Sequence, residues 1–199
     1  MLQIVVPFRG DAPKRRLEAD DEARAGLALA MLGDVLAAAV AVGATLVVTG
    51  DADARALAGE LGAEVVDDPG GGQGAAVAAG LARAAEGVAL VLNADVPCVV
   101  PRDLRTLAGS AELDALGLVE AADGTTNALA LPHASLFAPL YGAGSAARFR
   151  EHARARDVLV VTAVIPNLAD DVDTRSDLER VGLRAGPRTQ AALGQLVRP

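Results

Sequence analysis

Short apolar runs alternate with longer alanine- and leucine-rich segments through the first half of the chain, and this alternation restricts the fold strongly. The short runs are continuously apolar, which is typical of strands buried on both faces. They lie at 2–6, 44–50, 63–66 and 88–94. Helices are predicted between them at 18–42, 52–61, 74–86 and 101–109. Because parallel strands need crossover connections, the pattern predicts a mostly parallel, doubly wound sheet with helices on both faces.

The second half of the chain has weaker signals of the same kind. Strands are predicted near 114–119, 127–131 and 158–164. Helices are predicted near 144–156, 174–181 and 188–197. We find no internal repeat or long linker, so we expect residues 1–199 to form a single α/β domain.

Charge and cysteine content exclude several classes of partner. The formal net charge of −8 disfavours binding to nucleic acid or to an anionic membrane. Cys98 is the single cysteine, which rules out an intrachain disulfide and a cysteine-rich metal site. No apolar run reaches the roughly 18 residues of a membrane span. The first residues of the sequence, MLQIVVPFRG, do not have the pattern of a signal peptide. We therefore expect a cytoplasmic protein.

An acidic residue interrupts the apolar stretch at 89–100. Asp95 follows a predicted strand at the edge of the sheet where ligands of such folds bind. A lone carboxylate among apolar residues needs a cation or hydrogen bonds. One alternative is that Asp95 caps the helix at 101–109, although Pro101 and Asp103 already provide a good start there.

A second acidic group lies at 169–178. Asp171 and Asp173 could converge with Asp95 at the sheet edge and hold Mg²⁺, which takes one or two carboxylates together with water and phosphate oxygens. Alternatively, Asp171 and Asp173 could cap a helix that begins near Thr174, with Asp177 stabilising its first turn.

Three loops carry residues suited to anions. The first, VPFRGDAPKRRL at 6–17, presents Arg9, Lys14, Arg15 and Arg16 beyond a strand, where phosphates could bind; the alternative is a solvated basic turn. The second, at 67–84, places glycines around Gln73 before a helix, and could equally be a flexible turn. The third, YGAGS at 141–145, could form an anion nest, or be an ordinary loop in which Ser145 caps a helix.

In their order along the chain these motifs resemble the 2-phospho-L-lactate guanylyltransferase family, which includes phosphoenolpyruvate-using members and belongs to the biosynthesis of the deazaflavin coenzyme F(420). Five signatures carry the resemblance across nearly the whole chain: VPFRGDAPKRRL, GGGQGAAV, NADVP, DGTTNALAL with YGAGS, and DDVDTRSDL. The family implies the modified doubly wound fold of nucleotidyltransferases.

The resemblance also implies an activity and roles for individual residues. GMP would pass from GTP to the phosphate of a three-carbon acid, either phosphoenolpyruvate or 2-phospho-L-lactate, with release of pyrophosphate and hand-off of the product to a downstream transferase. Residues 1–110 would bind the nucleotide, and 111–199 the acceptor and metal. The implied catalytic residues are Lys14, Arg16 and Asp95. The implied nucleotide-binding residues are Pro7, Arg9, Lys14, Arg16, Gly72 and Gln73. The implied acceptor-binding residues are Thr126, Gly142 and Ser145, and the implied Mg²⁺ ligands are Asp95, Asp171 and Asp173.

This chain departs from the family's pattern at several positions. Gln73 and Gly74 replace the usual Leu-Asn after the glycines, Arg9 stands where Lys is common, and Phe149 replaces a frequent His. Two alternatives therefore stay open: a nucleotidyltransferase of the same fold with another nucleotide or acceptor, and a nucleotide-binding homologue without catalysis.

Overall fold

In residues 2–10 and 21–196, which the computed structural model describes, seven strands form one mostly parallel sheet. The strands are β1 Gln3–Pro7, β2 Ala44–Val48, β3 Glu64–Val66, β4 Ala89–Leu92, β5 Ala115–Glu120, β6 Thr126–Leu131 and β7 Leu159–Thr162. Their order in the sheet is β3-β2-β1-β4-β6-β5-β7. Strand β6 alone among them runs antiparallel, pairing with β4 and β5. The predicted fold class is confirmed.

Helices cover both faces of this sheet. They are α1 Asp21–Val40, α2 Ala52–Leu61, α3 Gln73–Arg83, α4 Pro101–Glu112, α5 Ser145–Arg154, α6 Pro166–Ala169, α7 Arg175–Val181 and α8 Pro187–Leu196. Successive side chains of β1 enter opposite layers, as the two-residue period of a strand requires. Ile4 joins a core cluster with Leu36 of α1, whereas Val5 joins a second cluster with Val77 of α3.

Helix α3 lies very close to the sheet. A Cβ atom on Gly80 would lie 2.5 Å from Cγ1 of Val5 and 2.9 Å from Cγ2 of Val48, so glycine is required for this approach. The close packing brings the loop before α3 to the end of β1. There Gly70, Gly71 and Gly72 all have positive φ angles, of 77°, 84° and 98°, which glycine adopts without steric cost.

Helix α1 contradicts the prediction that no segment is long and apolar enough to span a membrane. Its 20 residues are long and apolar enough to cross a membrane by length and composition, although we predicted that no segment would be. Half of the helix is buried inside the fold, and α1 packs on α2, α8 and β2. The core helix of a globular fold passes the same test, since it too must bury apolar side chains.

Asp34 of α1 holds the start of α8. Its buried carboxylate accepts hydrogen bonds from the backbone N–H groups of Arg188 at 3.1 Å and Thr189 at 2.8 Å. A carboxylate at a helix N-terminus also interacts favourably with the helix dipole.

We expect Asp34→Ala to lower the free energy of unfolding by about 2–3 kcal/mol, because both N–H groups lose a charged acceptor in a buried position. Asp34→Asn keeps one acceptor oxygen and should lose about half as much. Urea unfolding followed by circular dichroism measures both. Equal stability of the alanine variant and the wild type would contradict this account of how α8 is held.

Candidate active site

A cleft of about 200 Å³ lies beyond the carboxyl ends of β1 and β4. From these two neighbouring strands the chain continues in opposite directions along the sheet, from β1 to β2 and from β4 to β5. Ligands of doubly wound folds bind where the strand order reverses in this way. The residues that line the cleft are Pro7, Phe8, Arg9, Ala28, Met31, Gln73, Ala76, Asn93, Ala94 and Asp95. The structure therefore brings together Pro7, Arg9, Gln73 and Asp95, which the sequence analysis assigned to one site.

Arg9 connects the first loop to the glycine loop. Its Nε donates a hydrogen bond of 2.9 Å to Asp68, and the other oxygen of Asp68 accepts the backbone N–H of Gly70 at 2.8 Å. Burial alone would raise the pKa of Asp68, but the hydrogen bond and charge of Arg9 and the N–H of Gly70 outweigh it and lower that pKa. The Arg9 guanidinium is thereby fixed at the mouth of the cleft.

Helix α3 begins in the cleft with an open N-terminus. Gly72 is its N-cap residue and supplies no side-chain hydrogen bond to the first turn, while Gln73 is the first helical residue. N–H groups at a helix start attract anions. The predicted nucleotide-binding positions Gly72 and Gln73 thus lie where a phosphate or base could approach the backbone.

The three predicted metal ligands lie near one another. The backbone N–H of Val172 donates to the carbonyl oxygen of Asp95 at 3.0 Å, which places Asp171 and Asp173 on either side of this contact. Burial, and then the negative charges of Asp95 and Asp173, raise the pKa of Asp171 to about 6. A cation would relieve this repulsion.

Within residues 2–10 and 21–196, no three acidic, histidine or cysteine side chains are close enough to hold a metal ion by themselves. This arrangement is compatible with Mg²⁺, which commonly takes one or two carboxylates and completes its shell with water and substrate phosphates. One or two of these carboxylates, together with water and substrate phosphates, therefore fit such an ion.

The capping alternatives for these acids do not apply. Thr174 is the N-cap of α7, and it forms a capping box with Asp177. Val100 is the N-cap of α4, where Asp103 accepts its N–H at 3.0 Å. The side chains of Asp95, Asp171 and Asp173 are thus not needed to start either helix.

Asp177 gives a pH-dependent contribution to stability. Burial opposes ionisation, but hydrogen bonds from Arg180, from Thr174 and from the backbone of Asp173 lower its pKa to about 2. A lowered folded-state pKa stabilises the protein above pH 3.8 and loses this effect as pH falls towards 2. We expect wild type to exceed Asp177→Ala in unfolding free energy by about 2 kcal/mol at pH 6 and by clearly less at pH 3. Urea titrations at the two pH values measure the difference, and a pH-independent gap would contradict the assignment.

The predicted acceptor residues are also adjacent in space. Ser145, fully buried at the first turn of α5, donates a hydrogen bond of 3.1 Å to the Thr126 hydroxyl. We had expected both hydroxyls to be unpaired, so this pairing differs from the prediction. Gly142, with φ of 108°, accepts the backbone N–H of Ser145 at 2.9 Å. Gly144, rather than Ser145, is the N-cap of α5.

Lys14, Arg15 and Arg16 lie outside the described residues, so their predicted contacts to the triphosphate stay predictions. Two amide side chains that the sequence analysis did not assign, Asn93 and Asn127, lie in the site beside Gln73. Gln73 donates to Asn93 at 2.7 Å, Asn93 donates to Asn127 at 3.3 Å, and Asn127 donates to the carbonyl oxygen of Ala169 at 3.2 Å. The sequence signal for Asn93 and Asn127 was position, since they stand inside the NADVP and DGTTNALAL motifs.

The MobA-like NTP transferase domain matches residues 13–169. A phosphoenolpyruvate guanylyltransferase from Streptomyces coelicolor is 41% identical to this chain, with 98% of this chain and 96% of that protein covered. The chain belongs to the phosphoenolpyruvate guanylyltransferase family. The resemblance stated from the motifs is confirmed.

Solved structures show the same fold. A nucleotidyl transferase from Methanothermobacter thermautotrophicus superimposes with a TM-score of 0.70 at 21% identity, over 98% of this chain and 99% of that one. Glucosyl-3-phosphoglycerate synthase from Mycobacterium tuberculosis, solved with Mn²⁺ and UDP, has a TM-score of 0.59 at 14% identity, over 98% and 78%. The general domain match ends before Asp171, so the second acidic group belongs to the segment that the guanylyltransferase relatives share with this chain.

Proposed function

We propose that this protein transfers GMP from GTP to the phosphate of phosphoenolpyruvate and releases pyrophosphate. The observation that carries the proposal is the approach of Asp95, Asp171 and Asp173 beside the cleft at the carboxyl ends of β1 and β4, in a member of a guanylyltransferase family. Phosphoenolpyruvate is favoured over 2-phospho-L-lactate as acceptor because it is the substrate in the relative's name.

The reaction is a phosphoryl substitution. An oxygen of the acceptor phosphate attacks the α-phosphorus of GTP, and the bond from that phosphorus to the oxygen bridging to the β-phosphorus breaks. Pyrophosphate leaves with the electron pair, and the product joins guanosine to the acid through a diphosphate. The protein has to align these groups and neutralise their charge. Arg9, oriented by Asp68, together with Lys14 and Arg16, would contact the triphosphate.

Asp95, Asp171 and Asp173 would hold Mg²⁺. The negative charges of Asp95 and Asp173 help to raise the pKa of Asp171, and a bound cation would offset this repulsion. When bound, the ion supplies positive charge to the phosphates of GTP. The protein's own contribution is to keep these carboxylates at the edge of the cleft against their mutual repulsion.

Thr126, Gly142 and Ser145 would bind the acceptor at the other end of the site. Because the Ser145 hydroxyl donates its hydrogen bond to Thr126, Ser145 would act chiefly by orienting the Thr126 hydroxyl. The proposal divides the chain into a nucleotide-binding part at 1–110 and an acceptor- and metal-binding part at 111–199. We also propose that the protein's partners are small molecules and not nucleic acid or membrane, and that it is located in the cytoplasm. Its role would be in coenzyme F(420) biosynthesis, where a downstream transferase takes over the product.

The decisive assay follows pyrophosphate release with each of the four NTPs, Mg²⁺ and one of three acceptors: phosphoenolpyruvate, 2-phospho-L-lactate or 3-phosphoglycerate. We expect GTP with phosphoenolpyruvate to be the best pair, and pyrophosphate release to require the acceptor. A preference for another nucleotide or acceptor would favour a different transferase of this fold. No turnover with any pair would indicate a nucleotide-binding protein without catalysis.

A further inference from the structure

Three amide side chains in the site form a chain of hydrogen bonds in which each amide donates to the next. Nε2 of Gln73 donates to Oδ1 of Asn93 at 2.7 Å, and Nδ2 of Asn93 donates to Oδ1 of Asn127 at 3.3 Å. Nδ2 of Asn127 then donates to the carbonyl oxygen of Ala169 at 3.2 Å, two residues before Asp171. Burial raises the pKa of Asp171, and hydrogen bonding from Asn127 lowers it by a smaller amount. We call Gln73, Asn93 and Asn127 the amide relay.

Backbone carbonyl oxygens set the orientation of these amides. An amide has an oxygen that accepts and an NH₂ group that donates. Since a carbonyl oxygen can only accept, the NH₂ of Asn93 faces that of Thr126 at 3.3 Å, and the NH₂ of Asn127 faces that of Ala169 at 3.2 Å. This leaves the oxygen of Asn93 for Gln73. A flipped Asn127 would place its oxygen against the Ala169 carbonyl and the Asp171 carboxylate, and its NH₂ against that of Asn93. Both contacts would be repulsive.

Asn127 also joins the two elements that carry the acidic group. Asn127 is only 1% exposed. Its backbone carbonyl oxygen accepts the backbone N–H of Asn93, two residues before Asp95, at 2.9 Å. Its side chain holds Ala169 and Asp171 on the other element. Like charges on Asp95 and Asp173 push Asp171 away, and a buried donor opposes that displacement.

We infer that Asn127 is a positioning residue that holds the segment carrying Asp171 in place for the metal ion, and that Asn93 and Gln73 support its amide from the other side. This inference rests on the proposed function, since it concerns the same metal site. It also assigns a role to Gln73 that is particular to this chain, because Gln73 stands where the family's usual sequence differs.

The test measures Mn²⁺ binding without nucleotide, from the electron paramagnetic resonance signal of the free ion. We expect the Kd for Mn²⁺ to rise about tenfold in Asn127→Ala and about threefold in Gln73→Leu. Thr45→Ala is the control, since the buried Thr45 hydroxyl donates to the carbonyl oxygen of Gly43 at 3.1 Å at the start of β2, the opposite end of the strand from the site. Its Kd should equal that of wild type. In turnover assays Asn127→Ala should raise the Mg²⁺ concentration for half-maximal rate by a similar factor, with kcat largely restored at saturating Mg²⁺.

The outcomes separate this inference from the proposed function. If wild type binds no Mn²⁺, the proposed metal site is wrong. If wild type binds Mn²⁺ and both relay variants bind it equally well, the positioning role is wrong. An equal loss in the relay variants and in Thr45→Ala would mean general loosening of the fold and would also overturn the inference. If Asn127→Ala does not fold, Gln73→Leu decides, because Gln73 is half-exposed at the end of the relay.

Discussion

Asp95→Asn is expected to lower kcat by about a thousandfold or more without unfolding the protein. The amide keeps the size of the side chain and removes the charge that would hold Mg²⁺, and a metal ion contributes several kcal/mol to neutralising transition-state charge. The backbone carbonyl oxygen of Asp95 that accepts the N–H of Val172 is unchanged, so the loop that carries Asp171 should stay in place.

The measurement is steady-state pyrophosphate release, with circular dichroism as the check on folding. Asp53→Asn is the matched control, because Asp53 is an exposed acid in the first turn of α2. It should retain wild-type kcat. An Asp95→Asn variant with more than a tenth of wild-type activity would remove Asp95 from the catalytic machinery.

Asp171→Asn is expected to abolish activity while making the metal-free protein more stable. At pH 7.5 the folded protein must keep Asp171 ionised although burial and two neighbouring carboxylates disfavour its charge. Discounted for partial exposure, removing that charge should stabilise the fold by about 1 kcal/mol, or about 2–4 °C in Tm. The asparagine oxygen can still accept from Asn127.

Thermal unfolding in chelator alone, and then with Mg²⁺ in excess over the chelator, checks this expectation. Wild type should gain Tm when Mg²⁺ is added, and Asp171→Asn should not. The two effects together distinguish a metal ligand from a structural acid, whose loss would lower Tm. A fall in the metal-free Tm of Asp171→Asn would contradict the account.

The sequence was sufficient to predict the layers of the fold and the place of Asp95. Continuous apolar runs predicted β1 to β4, and β1, β2 and β4 are buried as such composition requires. Strand β3 was also expected to be buried on both faces, but it lies at the edge of the sheet and is only partly buried. An acid at the end of a buried strand then had to lie at the sheet edge where ligands bind. The antiparallel direction of β6 was not predicted, because the apolar content of a strand carries no information on the direction of its neighbours.

The amide relay and the Ser145–Thr126 pair could not be predicted in the same way. Gln73 and Asn127 contact a common partner, Asn93, from 20 and 34 residues away along the chain. Which side chains meet there depends on strand order and register, not on local pattern. The hydroxyls of Thr126 and Ser145 were expected to face a ligand, but packing of α5 on the sheet turns them towards each other.

Guanylyl transfer to the acceptor is tested most directly by isotope tracing. The protein is incubated with GTP, Mg²⁺ and phosphoenolpyruvate whose non-bridging phosphate oxygens are ¹⁸O-labelled. The masses of the products are then measured by mass spectrometry. The account predicts a guanosine–phosphoenolpyruvate diphosphate that contains all of the label, with unlabelled pyrophosphate. Formation of GMP and pyrophosphate without this product, or label in the pyrophosphate, would contradict it.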